Sequence, residues 1–296
     1  PDNKELFIHQ FDRAQQNLEL LAVEVASGAA RTVQREHSSA WIDVVDDFKW
    51  LDDGRAFLWV SERDGWRHVY IVARAGGPAR LVTSGAFDVT EISAIDDKRG
   101  WLYFSASPDD AARRYLYRAR LQGGAVERLT PANAPGIHAY DLSPDGRWAV
   151  HTASRIDAPP ASTLVSIPDH HVRRALIDNE PLRSKFEPLL ARPAEFFKVT
   201  IPGGYVLDGW MLKPRNFDPA KKYPVLVYVY SEPAGQTVLD QWGGERMLFH
   251  RYLAEQGYVV LSIDNRGTPA PKGSAWRQAI YGAIGVLAAD EQAAAL

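Results

Sequence analysis

One pattern of turns returns at a fixed interval along this chain, and that recurrence restricts the fold more than any single residue does. Trp50-Leu51-Asp52-Asp53-Gly54-Arg55 is echoed by Leu142-Ser143-Pro144-Asp145-Gly146-Arg147, with a degenerate middle copy at Ala94-Ile95-Asp96-Asp97-Lys98-Arg99-Gly100. A second element repeats in phase. HVYIVARAGGPARLVTSG from His68 aligns with YLYRARLQGGAVERLTPA from Tyr115, which puts Tyr70 over Tyr117 and Gly77 over Gly124 at a period of about 47 residues. An incomplete copy, LELLAVEVASGAARTV, precedes both.

Within each copy an Asp-Gly type turn leads into alternating apolar residues such as Phe57 and Trp59. A second alternating run through Val69 and Ile71 follows. Each unit therefore reads as about four short strands. A unit of that size cannot bury both faces alone, so neighbours must stack around an axis, which predicts the blades of a β-propeller. A sandwich of ordinary hairpins is the competing fold, but its turn signals recur every ~8–12 residues without a longer period. The count is three complete blades and a partial one. Propellers close with roughly four to eight blades, so further blades are expected before Pro1.

The pattern changes after Asn179. PLRSKFEPLLARPAEFFK is studded with proline and reads as a linker, residues 181–198, with a short helix around Leu182 to Leu190. A hairpin about Gly203-Gly204 follows. PVLVYVY and YVVLSI are then continuous apolar runs flanking a helical stretch from Met247 to Gln256, the signature of a βαβ unit whose strands are covered on both faces. The expected division is a partial propeller over 1–180, the linker, and the opening of a parallel α/β domain over 199–296.

Charge and composition exclude several functions. The 34 basic and 37 acidic residues are scattered along the chain, so no basic stripe points to nucleic acid. The absence of cysteine removes a disulfide framework, a thiolate metal site and a cysteine nucleophile. His170 and His171 are adjacent and would point to opposite faces of a strand, which favours a solvated hairpin over a shared metal ion. The apolar runs are far shorter than the ~20 residues a membrane helix needs, and Pro1-Asp2-Asn3-Lys4-Glu5 lacks a leader pattern.

SERDGWRHVY from Ser61, YPVLVYVY from Tyr223, Gln236-Thr237-Val238 and DNRGTP from Asp264 resemble, in order and spacing, the dipeptidyl peptidase IV branch of the prolyl oligopeptidase serine peptidases. The resemblance implies a β-propeller followed by the N-terminal portion of an α/β-hydrolase domain. It also implies removal of dipeptides from polypeptide N-termini, after proline or alanine, by a Ser-Asp-His triad without a cofactor. Peptide is the implied substrate and a homodimer the implied assembly. Tyr230 matches the family's oxyanion tyrosine, whose hydroxyl would donate to the negative oxygen of a tetrahedral intermediate. The plain alternative is a structural tyrosine. Arg266, just past a strand's C-terminal end, is expected to anchor its loop through backbone carbonyls, and Trp41 to line the substrate cavity unless it is only core packing. Ser61 to Gly65, Arg67 and His68 read as structural.

The departures are as informative. Where the family carries Gly-Gly-Pro after the tyrosine, this chain has Ser231-Glu232-Pro233, and a carboxylate 4 Å from an oxyanion would cost about 4 kcal/mol at an effective dielectric of ~20. No window has the G-x-S-x-G nucleophile elbow, and Ser231 lacks the small neighbours such an elbow needs. The nucleophile, the aspartate and the histidine are thus expected beyond Leu296, and the glutamates that hold a substrate's free N-terminus before Pro1. The chain by itself is expected to be inert. The competing reading is a non-catalytic propeller module with a vestigial hydrolase segment, whose open sheet edges a partner would have to cover.

Overall fold

The computed structural model describes residues 3–190 and 192–296. Pro1 and Asp2, where the leader reading begins, and Ala191 in the expected linker lie outside the described residues. Four antiparallel sheets come first. β1 (Glu5–Phe11), β2 (Asn17–Glu24) and β3 (Ala30–His37) form a three-stranded sheet. The next three sheets have four strands each. They are β4 (Lys49–Leu51), β5 (Ala56–Ser61), β6 (His68–Ala73) and β7 (Arg80–Leu81); β8 (Val89–Asp96), β9 (Trp101–Ala106), β10 (Tyr115–Arg120) and β11 (Glu127–Arg128); and β12 (Ile137–Leu142), β13 (Trp148–Arg155), β14 (Ala158–Ser166) and β15 (Val172–Ile177).

The repeated sequence elements occupy equivalent places. The Asp-Gly-Arg motifs make the β4–β5 and β12–β13 turns, closed by Arg55 N–H to Asp52 O at 3.0 Å and Gly146 N–H to Ser143 O at 2.8 Å. Tyr70 and Tyr117 face Leu81 and Arg128 on the short outer strands β7 and β11. Core clusters lie between successive sheets, as radial stacking demands. Leu20, Phe57 and Tyr70 join the first pair, Leu58, Val69 and Phe104 the second, and Tyr103, Leu116 and Val165 the third.

Beyond α1 (Glu180–Leu190) the architecture switches. β16 (Glu195–Thr200) and β17 (Val206–Leu212) form the expected hairpin, and β19 (Val259–Asp264) joins it antiparallel to β17 and parallel to β18 (Val225–Val227), in the order β16-β17-β19-β18. α2 (Gly244–Glu255) covers one face through Met247 and Ala254 against Trp210 and Val260. α3 (Ser274–Gln278) and α4 (Val286–Ala295) cover the other, where Trp276 and Ala295 pack on Leu207, Leu261 and Ile263.

Two local expectations need correction. PVLVYVY is not one long buried strand: only three residues pair, on one side, and Val225, Val229 and Tyr230 are exposed. The chain departs from the sheet before Tyr230 because the segment after it is captured by other partners, described below. His170 and His171 lie in the turn between β14 and β15 rather than on opposite strand faces. His171 is exposed and pairs with Asp169, whereas His170 packs inward against Tyr140 and His151.

Candidate active-site face

Tyr230 opens a loop whose far end is fastened on two sides. From the hydrolase sheet, the Asp264 carboxylate at the end of β19 accepts hydrogen bonds from Thr237 N–H (3.0 Å), Thr237 Oγ1 (2.9 Å) and Val238 N–H (3.1 Å). Asp264 is buried, and desolvation pushes its pKa up while these donors pull against it. From the propeller, Gln236 Nε2 donates to Ala111 O at 2.9 Å, and Arg114 Nη2 donates to Gln236 Oε1 at 2.7 Å. Asp240 N–H donates to Ala112 O at 2.8 Å, and Arg113 Nε lies 3.3 Å from the Asp240 carboxylate.

The loop itself is tight. Ser231 has φ +66°, a left-handed conformation that costs a non-glycine residue ~1 kcal/mol or more, which gives the family's glycine there a conformational reason. Its Oγ accepts a long hydrogen bond, 3.4 Å, from Gln292 Nε2. Gly235 lies under the Tyr230 ring: a Cβ at Gly235 would stand 2.8 Å from ring atoms Cδ1 and Cε1. Tyr230 remains 46% exposed. Glu232 is also exposed, in water rather than buried beside the phenol, which screens its charge.

Arg266 anchors its loop through a carboxylate, not carbonyls. Its N–H and Nε both donate to Glu291 on α4, at 2.8 and 2.5 Å, and its guanidinium stacks 3.5 Å from the Tyr205 ring centroid. Asn265, fully buried beside it, donates to Arg266 O and accepts from Gln292.

Trp41 lines a cavity of about 330 Å³ between the first two sheets and α3, walled also by Glu36, Asp43, Glu62, Arg63 and Gln278. Its indole N–H donates to Asp43 and its carbonyl accepts from Gln278 Nε2. Tyr230 does not line this cavity, so Trp41, Tyr230 and Arg266 do not meet in one cluster. Among the described residues no three His, Asp or Glu side chains are grouped to hold a metal ion.

What sequence reasoning missed is the ionic clasp between propeller and hydrolase. Arg277 on α3 reaches Asp88 at 2.6 Å and also pairs with Glu62, while Gly273 N–H donates to Asp88 at 2.8 Å and Ser274 N–H to Gly65 O at 2.9 Å. Arg67 N–H shares Asp88, and buried His68 bonds Asp64 at 2.7 Å. The pairs made by Gly273, Ser274 and Arg277 join residues 185 to 215 positions apart and leave no local signature. The only hint was that SERDGWRHVY is rich in charge for a segment flanked by core strands.

Propeller blades stacked against an α/β-hydrolase type sheet, with a tethered tyrosine loop at their junction, define a propeller-hydrolase protein. The family model described as the dipeptidyl peptidase IV N-terminal region matches residues 1–160. The chain belongs to the dipeptidyl peptidase IV family. It is 27% identical over 292 residues to a probable dipeptidyl peptidase 4 of Aspergillus flavus, covering 95% of this chain and 37% of that protein. The crystal structure of Porphyromonas gingivalis dipeptidyl peptidase 4 superposes with a TM-score of 0.87 at 30% identity, over 99% of this chain and 40% of that one. A putative dipeptidyl aminopeptidase IV from Bacteroides ovatus gives a TM-score of 0.85 at 25% identity, over 99% and 44%. The chain thus spans about two fifths of the relatives it matches.

Proposed function

We propose that this chain supplies propeller blades and the first part of the catalytic domain of a serine-type dipeptidyl peptidase, in which Tyr230 donates to the oxyanion. Residues 1–180 are assigned to the propeller, 181–198 to the connection and 199–296 to the hydrolase domain. The nucleophilic serine, aspartate and histidine belong to polypeptide following Leu296, and the 296 residues alone turn over no peptide. Trp41 walls the space that receives the substrate's N-terminal residues.

The observation that carries this reading is the Tyr230 loop. An exposed phenol rests on Gly235, and the segment after it is tied to Asp264 and to the propeller turn at Ala111–Arg114. A donor carried on a loop tethered in this way needs little backbone reorganisation when negative charge develops on a substrate carbonyl, and such preorganisation is what an oxyanion hole supplies.

Hydrolysis of a glycyl-prolyl chromogenic substrate by the full-length gene product tests it. Tyr230→Phe should lower kcat by roughly 10²- to 10³-fold with little change in KM, as expected for loss of one oxyanion donor. Wild-type turnover by Tyr230→Phe would assign the tyrosine to structure alone.

A further inference from the structure

Arg114 is an unusual cation for a loop between blades. It lies just before β10, and its backbone is pinned to the next blade by Arg114 N–H to Gly136 O at 3.3 Å and His138 N–H to Arg114 O at 3.1 Å. Its guanidinium turns away from that blade toward the hydrolase. Nη1 donates to Ala111 O at 2.8 Å and to Arg113 O at 2.6 Å, and Nη2 to Gln236 Oε1 at 2.7 Å. Among the described residues no carboxylate lies within ion-pair distance of it; Asp264, Asp110 and Asp88 act on it only at longer range. Burial lowers its pKa to about 10, so it stays charged at neutral pH. A partly buried guanidinium that spends its donors on carbonyls and one amide oxygen is expensive as a simple interdomain tie. A hydrophobic contact would tie the domains as well.

What those donors achieve is the orientation of Gln236. With its oxygen held by Arg114, its nitrogen faces Ala111 O at 2.9 Å and Val238 O at 3.0 Å, so the side chain braces its own backbone against the propeller. Gly235, the preceding residue, supports the Tyr230 ring. The path from Arg114 to Tyr230 is thus two contacts long: a hydrogen bond to Gln236 and the packing of the Tyr230 ring on Gly235.

We propose that Arg114 is a positioning residue for Tyr230: a propeller side chain that, through Gln236 and Gly235, keeps the phenol where the oxyanion forms. This rests on the oxyanion reading above and adds that the propeller takes part in transition-state stabilisation, not only in admitting substrate. A ring displaced by ~1 Å loses most of its benefit, because oxyanion hydrogen bonds are steep in distance.

Two measurements separate this role from mere attachment of the domains. The first is a double-mutant cycle in the full-length protein. Arg114→Met should lower kcat roughly 10- to 100-fold with KM held within a few-fold. Arg114→Lys should recover part of the loss. In a Tyr230→Phe background Arg114→Met should cost less than about twofold, since the group it positions is gone. An equal loss in both backgrounds, or none in either, overturns the proposal.

The second needs no catalysis. With 3-fluorotyrosine placed at residue 230 of this chain, Arg114→Met should shift or broaden the fluorine resonance, while a label at Tyr205 stays unchanged. An unmoved 230 resonance overturns the proposal whatever the activity does. If the resonance moves but Tyr230→Phe retains wild-type turnover, it is the oxyanion reading that fails, and the positioning contact stands without a catalytic consequence.

Discussion

Asp264 shows at the scale of one residue how this chain uses buried charge. Its carboxylate sits at the C-terminal end of β19 and takes three hydrogen bonds from the Thr237–Val238 segment, which would otherwise have no sheet partner. Removing it strands donors in a buried setting, at ~1–3 kcal/mol each less whatever water can reach. Asp264→Ala should therefore lower unfolding free energy by about 3 kcal/mol, read as a drop in the urea midpoint at unchanged m-value. Asp264→Asn keeps an acceptor and should fall between the two. Arg266 is the converse case. The sequence reading made it a loop anchor through carbonyls, and it is an anchor, but its charge is spent on the Glu291 carboxylate of α4.

Among the elements, the fourth sheet carries a stack of imidazoles that no repeat explains. His138 Nδ1 and His151 Nε2 share a hydrogen bond at 2.8 Å with rings nearly parallel, His151 stacks in turn on Tyr140, and His170 approaches its edge. Tyr115 from the neighbouring blade lies beside His138, and the Arg128 guanidinium stacks on Tyr115. Burial lowers the pKa of His138 to about 4 and of His151 to about 3, from an ordinary value of 6.5. Both are thus neutral in the folded protein at pH 5, whereas the unfolded chain binds their protons below pH 6.5. Stability from these groups is complete above pH 6.5 and falls as the pH drops toward 4. The slope approaches ~1.4 kcal/mol per pH unit for each histidine. Urea midpoints between pH 7 and pH 5 should decline accordingly, and His151→Gln should flatten the decline. A midpoint independent of pH over that window would show that the pair is not held neutral.

For the whole molecule, the junction between propeller and hydrolase combines a small apolar contact, Ala112 and Ile156 against Trp210, Val238 and Met247, with directional polar ties. Arg277 with Asp88 and Glu62, Gln236 with Ala111 and Arg114, and Trp242 N–H with Ser154 Oγ fasten one to the other. Breaking one partner of a buried pair leaves the others uncompensated, at ~3–5 kcal/mol. Wild type should unfold in one transition in a thermal scan, and Arg277→Met should separate the unfolding of the two parts into distinct transitions. A single unchanged transition in Arg277→Met would refute the clasp. The blades and the βαβ order were readable from sequence, because the turn residues and the alternation of apolar side chains are local properties repeated in phase. So was the tyrosine at the head of the loop, through motifs in order. The length of β18, the inward turn of His170, the carboxylate under Arg266 and the Arg114–Gln236 brace were not. Each depends on which groups from separate elements meet, and hydrogen bonds and ion pairs between residues tens to more than a hundred positions apart leave no periodicity behind. The sequence alone determined what the elements are and the family they belong to. Only the tertiary structure decided which charges are buried against each other and what they hold in place, because desolvation and partner geometry exist only once the chain has closed on itself.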